Sequence, residues 1–154
     1  MEPKYPQRVA IAHLPTPIER LDRLSKHLGG PEIIIKRDDL TGLATGGNKT
    51  RKLEFLVAEA LAKGCDHLIT TGAPQSNHCR QTAAGAAALG LRCVLVLADK
   101  PQPSTGNILL NQLLGAELVW AGSTMRDAAM QTTFEKQQAV GFSPYLIPYG
   151  GSNP

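Results

Sequence analysis

Four glycines set the frame of this chain. Gly64, Gly90, Gly115 and Gly141 recur at intervals of 26, 25 and 26 residues. Each closes a helix-forming run and is followed by a short apolar segment. Glycine just past a helix end takes the left-handed conformation that terminates helices at little steric cost. The apolar segments His67–Thr71, Cys93–Ala98, Leu118–Ala121 and Tyr145–Pro148 read as strands. Their unbroken apolar character suits strands covered on both faces. The intervening helices are expected over residues 50–63, 77–89, 104–114 and 124–140, with Thr124 and Asp127 resembling a capping box. Strands alternating with helices at this spacing imply right-handed crossovers and a parallel sheet. The expectation is therefore an α/β unit, a parallel sheet flanked by helices, over residues 50–148. Ligands of such sheets lie at the carboxyl ends of the strands. That points to the loops after Thr71, Ala98, Ala121 and Pro148.

The residues before this frame read differently. Residues 1–12 form a polar, proline-bearing arm with no signal-peptide core. Leu14-Pro15-Thr16-Pro17 leads into an expected helix, Ile18–Leu28, stopped by Gly29-Gly30-Pro31. Ile33–Lys36 reads as a strand, its apolar residues an open edge without sheet neighbours. Arg37-Asp38-Asp39 makes a charged turn.

Between that turn and the first long helix lies Thr45-Gly46-Gly47-Asn48-Lys49-Thr50-Arg51-Lys52. Two glycines let the backbone approach a ligand closely. Lys49, Arg51 and Lys52 crowd a helix N-terminus, the end where cations are unfavourable. Such an arrangement calls for an anionic ligand or for a special amine. Crowding by like charges favours the neutral form of Lys49, which is the form a Schiff base requires. Gly42, Gly47, Lys49 and Thr50 also come near a nucleotide-binding phosphate loop, but Asn48 separates the glycine from the lysine. A reactive lysine and an anion-binding loop both remain open from these residues.

The second polar loop follows the first strand of the beat: Gly72-Ala73-Pro74-Gln75-Ser76-Asn77-His78-Cys79-Arg80-Gln81. It opens a helix of small residues, 82–88. Free N–H groups at a helix N-terminus bind carboxylate or phosphate. Ser76 reads as an N-cap, yet Ser76, Asn77 and His78 supply more polar groups than one cap requires. Cys79 sits where a thiol pKa can fall, though it also reads as a small packed residue.

The remaining composition mostly excludes. At 154 residues the chain can bury one ordinary core. A net charge of +3, with few aromatics among the basic residues, gives no case for nucleic acid. No apolar run is long enough to span a membrane. Three cysteines without an export signal fit a reducing cytoplasm. Cys65, Cys79, His67 and His78 lack a Cys-x-x-Cys pair, so no metal is expected.

Three stretches together resemble one family: Lys36-Arg37-Asp38-Asp39, the run from Gly46 to Phe55, and Gln75 to Ala84, with the tail Ile147–Pro154 in agreement. They are similar to the pyridoxal-phosphate enzymes grouped as D-cysteine desulfhydrase and 1-aminocyclopropane-1-carboxylate deaminase. The resemblance covers essentially the whole chain. It implies a fold-type II, tryptophan synthase β-like architecture, with pyridoxal 5'-phosphate as cofactor. Residues 1–49 would open the large cofactor domain, and residues 50–154 would form the small domain and begin the return.

Through the resemblance, Lys49 is the catalytic lysine that joins the cofactor's aldehyde. Asn48 and Asn77 contact the cofactor, Asn77 at its ring hydroxyl. Ser76, Asn77 and His78 hold the carboxylate of a small amino-acid substrate, with Ser76 counted as catalytic. The deaminases usually have glutamine where this chain has His78. That favours carbon–sulfur cleavage of D-cysteine over ring opening, with L-cysteate as a close alternative. A homodimer in the cytoplasm is implied for the complete enzyme. Members of the group continue well beyond the position of Pro154, where their phosphate loop lies. The expectation is a truncated, N-terminal portion: an α/β unit that folds but is inactive alone. The rival from another class is a non-catalytic anion-binding module.

Overall fold

The computed structural model describes residues 6–122 and 124–152. Met1–Tyr5 of the arm and Asn153–Pro154 of the tail lie outside them. The element order is β1 (Ile18–Arg20), α1 (Asp22–Leu28), β2 (Ile34–Lys36), α2 (Lys49–Ala62), β3 (His67–Gly72), α3 (Asn77–Ala88), β4 (Arg92–Leu97), α4 (Gly106–Leu113), β5 (Glu117–Trp120), α5 (Arg126–Ala139) and β6 (Pro144–Leu146). Short 3-10 turns at Asp38–Leu40, Leu43–Thr45 and Tyr149–Gly151 join them.

Strands β3 to β6 form one parallel sheet in the order β5-β4-β3-β6. All four beat glycines have positive φ, from 67° at Gly64 to 92° at Gly141. The glycine-closed periodicity therefore corresponds to real helix stops. Strand alternation splits the core in two. Cys93, Leu95 and Leu97 of β4 face α2 and α3 together with Leu53, Val57, Leu68 and Ala83. Val94 and Val96 face the other way, with Ile69, against Met130 and Phe134 of α5. Ala83, Ala84 and Ala86 in α3 are buried, and their small size lets the helix lie close to β3 and β4.

The N-terminal segment departs from the sequence reading. Ile18–Arg20 is a strand, not the first turn of a helix, and it pairs antiparallel with β2 in the register Ile18↔Lys36. Bonds from Leu21 N–H to Ile33 O (2.9 Å) and from Arg37 N–H to Pro17 O (2.9 Å) close both ends of the ribbon. The edge expected at Ile33–Ile35 thus has a neighbour. The arm is also held. Glu54, buried in α2, accepts from the N–H groups of Ile11 (3.2 Å) and Ala12 (3.1 Å) and from Arg8 (3.3 Å). The expected capping box is absent from α5: its N-cap is Met125, and no side chain caps it.

Candidate active site

The glycine loop is built by backbone constraint. Gly46 has φ 74°, and a Cβ there would lie 1.8 Å from the carbonyl oxygen of Asp39. At Gly47 a Cβ would meet the Gln81 amide at 2.3 Å. Only glycine fits either place. Thr41, fully buried, donates its hydroxyl to Gly47 O (2.9 Å) and accepts from Gly47 N–H (2.9 Å). Ala44 and Thr45 also take positive φ, 42° and 69°, a conformation that non-glycine residues hold only when the surroundings enforce it. The loop delivers the chain into α2 at Lys49, one residue earlier than expected.

The three cations then part. Arg51 turns back onto Asp38 with two 2.7 Å bonds and also reaches Thr16 Oγ1 at 2.9 Å. The Arg51 guanidinium holds the Asp38 carboxyl below its ordinary range. Lys52 donates to Ser152 Oγ at 2.6 Å. The amine of Lys49 makes no side-chain hydrogen bond among the described residues. The Asn48 side chain makes no capping bond to α2, and the residue is exposed.

The second loop leaves the carboxyl end of β3. Ser76 caps α3, its Oγ accepting from Cys79 N–H at 3.2 Å. The N–H groups of Asn77 and His78 precede the helical ladder and point out from its first turn. Asn77 Oδ1 accepts from Arg80 Nη1 (2.7 Å) and Asn107 Nδ2 (3.0 Å). Gln81 Nε2 and Arg80 Nη2 both donate to Gly46 O, at 2.6 and 2.9 Å, so the two loops are tied directly. Cys79 is packed in the core, where burial pushes its thiol up to about 11. The lowered thiol pKa considered from its helix position is therefore not found.

His78 is buried, and the proton on its ring can be placed. Thr70 Oγ1 lies 2.9 Å from His78 Nε2 and donates its one proton to Ile147 O at 2.9 Å. With that proton spent, Thr70 can only accept from Nε2–H. Nδ1 is then the bare nitrogen of a neutral imidazole, buried and without a partner among the described residues. Burial first, then Lys49 and Lys52, hold the imidazole down at about 4, so it stays neutral at pH 7. This ring offers no donor to a carboxylate. What His78 leaves free at the first turn of α3 is its backbone N–H.

A cavity of about 350 Å³ joins these pieces. Lys49, Lys52, Ser76, Asn77 and His78 line it, and Tyr149, Gly150 and Ser152 form its rim. Lys49, Ser76, Asn77 and His78, expected at the site from sequence, do share one pocket; Asn48 is not among its walls. The sequence reading missed Lys52 and Tyr149 as wall residues. Lys52 was legible in principle, since it follows Lys49 by three residues on the same helix face. Among the described residues no carboxylate lines the pocket. A larger hollow of about 590 Å³ lies on the far side of Lys52, between the arm and α2; Phe55, Leu56, Ala58 and Ala62 line it with Glu59, and it shares Lys52 and Ser152 with the first cavity. Among the described residues no three His, Cys, Asp or Glu side chains converge as metal ligands.

Known proteins resemble this chain in sequence and fold. The chain is 52% identical over 154 residues to proteins named D-cysteine desulfhydrase from Salmonella paratyphi B, Salmonella newport and Salmonella enteritidis. The match covers 95% of this chain and 46% of each relative, so the chain spans about half the length of the curated proteins it matches. A solved structure described as an ACC deaminase homologue superposes with a TM-score of 0.90 at 41% identity, over 97% of this chain and 46% of that one. The family described as pyridoxal-phosphate dependent enzyme matches residues 9–154. The chain therefore belongs to the pyridoxal-phosphate dependent enzyme family.

Proposed function

We propose that this pocket serves a pyridoxal-phosphate-dependent carbon–sulfur lyase that converts a small sulfur amino acid such as D-cysteine, with water, to pyruvate, ammonia and sulfide. The observation that carries the reading is the Lys49 amine in one pocket with the first turn of α3, where the described residues give it neither a hydrogen-bond partner nor a carboxylate neighbour. These residues suit the cofactor. An amine matches its aldehyde, and two lysines with free helix N–H groups match its negative charge. When bound, pyridoxal phosphate supplies an aldehyde that captures the substrate amine and a ring that accepts an electron pair from the α-carbon.

The chain's own groups then have separate tasks. Lys49 Nζ holds the cofactor and afterwards takes the proton from the α-carbon. The N–H groups of Asn77 and His78, with the Ser76 hydroxyl, hold the substrate carboxylate at a helix N-terminus. The Asn77 amide would hold the ring oxygen of the cofactor. Lys52, tied to Ser152, keeps a positive wall against the anionic ligand. Asn48 stands at the mouth of the glycine loop as a cofactor contact. Residues 1–49 would belong to the cofactor domain and the remainder to the smaller one. A homodimer in the cytoplasm completes the reading, in keeping with three cysteines that carry no disulfide.

A second reading draws on the solved relative described as an ACC deaminase homologue. Ring opening of aminocyclopropane carboxylate gives 2-oxobutanoate, whereas cleavage of D-cysteine or L-cysteate gives pyruvate, so the keto acid released decides between them.

The cofactor assignment is tested by adding pyridoxal 5'-phosphate, reducing with borohydride and mapping the modified peptide. Label concentrated at Lys49, and lost in Lys49→Arg, is expected. Label spread over surface lysines would instead leave a non-catalytic anion-binding module.

A further inference from the structure

Arg80 lies within the second loop's motif, and the reaction just described gives it nothing to do. It is only 7% exposed, yet its guanidinium forms no ion pair among the described residues. A buried cation without a counter-charge is costly unless its donors are well used. Arg80 Nη1 donates to Asn77 Oδ1 (2.7 Å) and Asn107 Oδ1 (2.9 Å), and Nη2 donates to Gly46 O (2.9 Å), while Nε–H has no partner among the described residues. It therefore touches the glycine loop, α3 and α4 at once.

These bonds fix which way the Asn77 amide points. Arginine can only donate, and a backbone carbonyl can only accept. Asn107 sits between one of each: its Oδ1 accepts from Arg80, and its Nδ2 donates to Gln75 O at 2.7 Å. That orientation turns the Asn107 amide N–H toward Asn77 as well, at 3.0 Å. Asn77 Oδ1 thus faces two donors. A flipped amide would set its NH₂ group against both of them. The NH₂ of Asn77 therefore points away from both donors and finds no acceptor among the described residues, and Asn77 lines the same pocket as Lys49. The charged partner behind Oδ1 also polarises the amide and strengthens its outward donors.

We propose that Arg80, with Asn107, is a positioning residue that locks the Asn77 amide with its NH₂ toward the pocket, so that Asn77 reads an anionic oxygen. In the proposed function, on which this inference rests, that oxygen is the ring oxygen of the cofactor. Arg80 acts through Asn77 and touches no reacting atom.

The test titrates the full chain with two probes, pyridoxal 5'-phosphate and its 3-deoxy analogue, which lacks only the ring oxygen. Asn77→Ala should weaken the first by roughly tenfold and leave the second nearly unchanged. Arg80→Met should reproduce that selective loss, and Arg80→Lys should fall between it and the parent. Asn107→Ala, which spares the bond to Gly46, should give a smaller selective loss even if Arg80→Met does not fold. Equal losses for both probes in the Arg80 and Asn107 variants would overturn the inference and leave these residues as scaffold. An Asn77→Ala variant indifferent to the ring oxygen would overturn the Asn77 assignment itself. A readout without ligand is the side-chain amide spectrum of the free chain. Asn77 NH₂ protons should exchange quickly with water and those of Asn107 slowly; the reverse order would also overturn the inference.

Discussion

The ribbon β1–α1–β2 and the sheet β3–β4 are made from similar apolar residues and end in opposite environments. Neither strand of the ribbon, nor α1, has a buried residue. Ile34 is 59% exposed, and Ile18 is 64% exposed. Every residue of β3 is buried, and Leu95 at the centre of β4 is wholly inaccessible. The ribbon is closed by backbone bonds and surface ion pairs such as Arg37–Glu19, which are worth little in water. The sheet is held by area removed from water on both faces. Apolar content alone does not make a core; a second layer does. The pocket draws its floor from the packed region, through α3 and the end of β3. Its lysine comes from a loop bound to that floor by Gln81 and Arg80.

Two substitutions test how far that contrast holds. Leu95→Ala leaves a cavity between α3 and the sheet and should cost about 2–5 kcal/mol. Ile34→Ala should stay within about 0.5 kcal/mol, because the site is largely solvated already. Denaturant midpoints of the two variants measure the difference, and equal losses would mean that the ribbon is as tightly packed as the sheet.

The next effect is a pH dependence inside the packed region. Unfolded His78 takes a proton near 6.5, while the folded ring does so only near 4. Below 6.5 the unfolded chain therefore binds more protons, and stability falls as pH drops from 6.5 toward 4. His78→Gln should flatten the stability curve across that window. The Asp38–Arg51 pair is lost only at more acidic pH, since Arg51 holds the carboxyl below its ordinary value of 3.8. An unchanged slope in His78→Gln would show that the ring is protonated in place.

A smaller change in stability than at Leu95 is expected at the seam of floor and pocket. Ser76→Ala removes the cap on Cys79 N–H and should cost about 1 kcal/mol. Because the same residue lines the cavity, kcat/KM of the complete enzyme should fall further than that loss explains. A shift confined to the melting temperature would leave Ser76 a cap alone.

The contrast also marks where the sequence could be read. Gly64, Gly90, Gly115 and Gly141 announced the crossovers because a helix stop is local chemistry, and the strands between them fell within a residue or two of their expected ends. Ile18-Glu19-Arg20 was misread because nothing local separates a solvated strand from a first helical turn; its partner lies beyond α1. Lys49, Ser76 and Asn77 were legible from their loop chemistry and from the family resemblance. The state of His78 was not, because it depends on Thr70 and Ile147, from two different strands or their ends. The links from Arg80 and Gln81 to Gly46 span more than thirty residues and leave no periodic trace.

The sheet order β5-β4-β3-β6 has a consequence for synthesis on the ribosome. Strand β3 gains β4 on one side soon after it emerges, while its other side stays bare until β6 arrives. A nascent chain carries Lys49, Ser76 and His78 long before the rim at Tyr149–Ser152 exists to enclose them. The acceptor that takes the Thr70 proton, Ile147 O, arrives with that last strand. Until then Thr70 is free to donate to His78, and the ring has no enforced tautomer. The same strand that finishes the sheet thus sets the hydrogen-bonding polarity of the pocket, and a chain stalled before Pro144 would have the right residues with the wrong proton inventory.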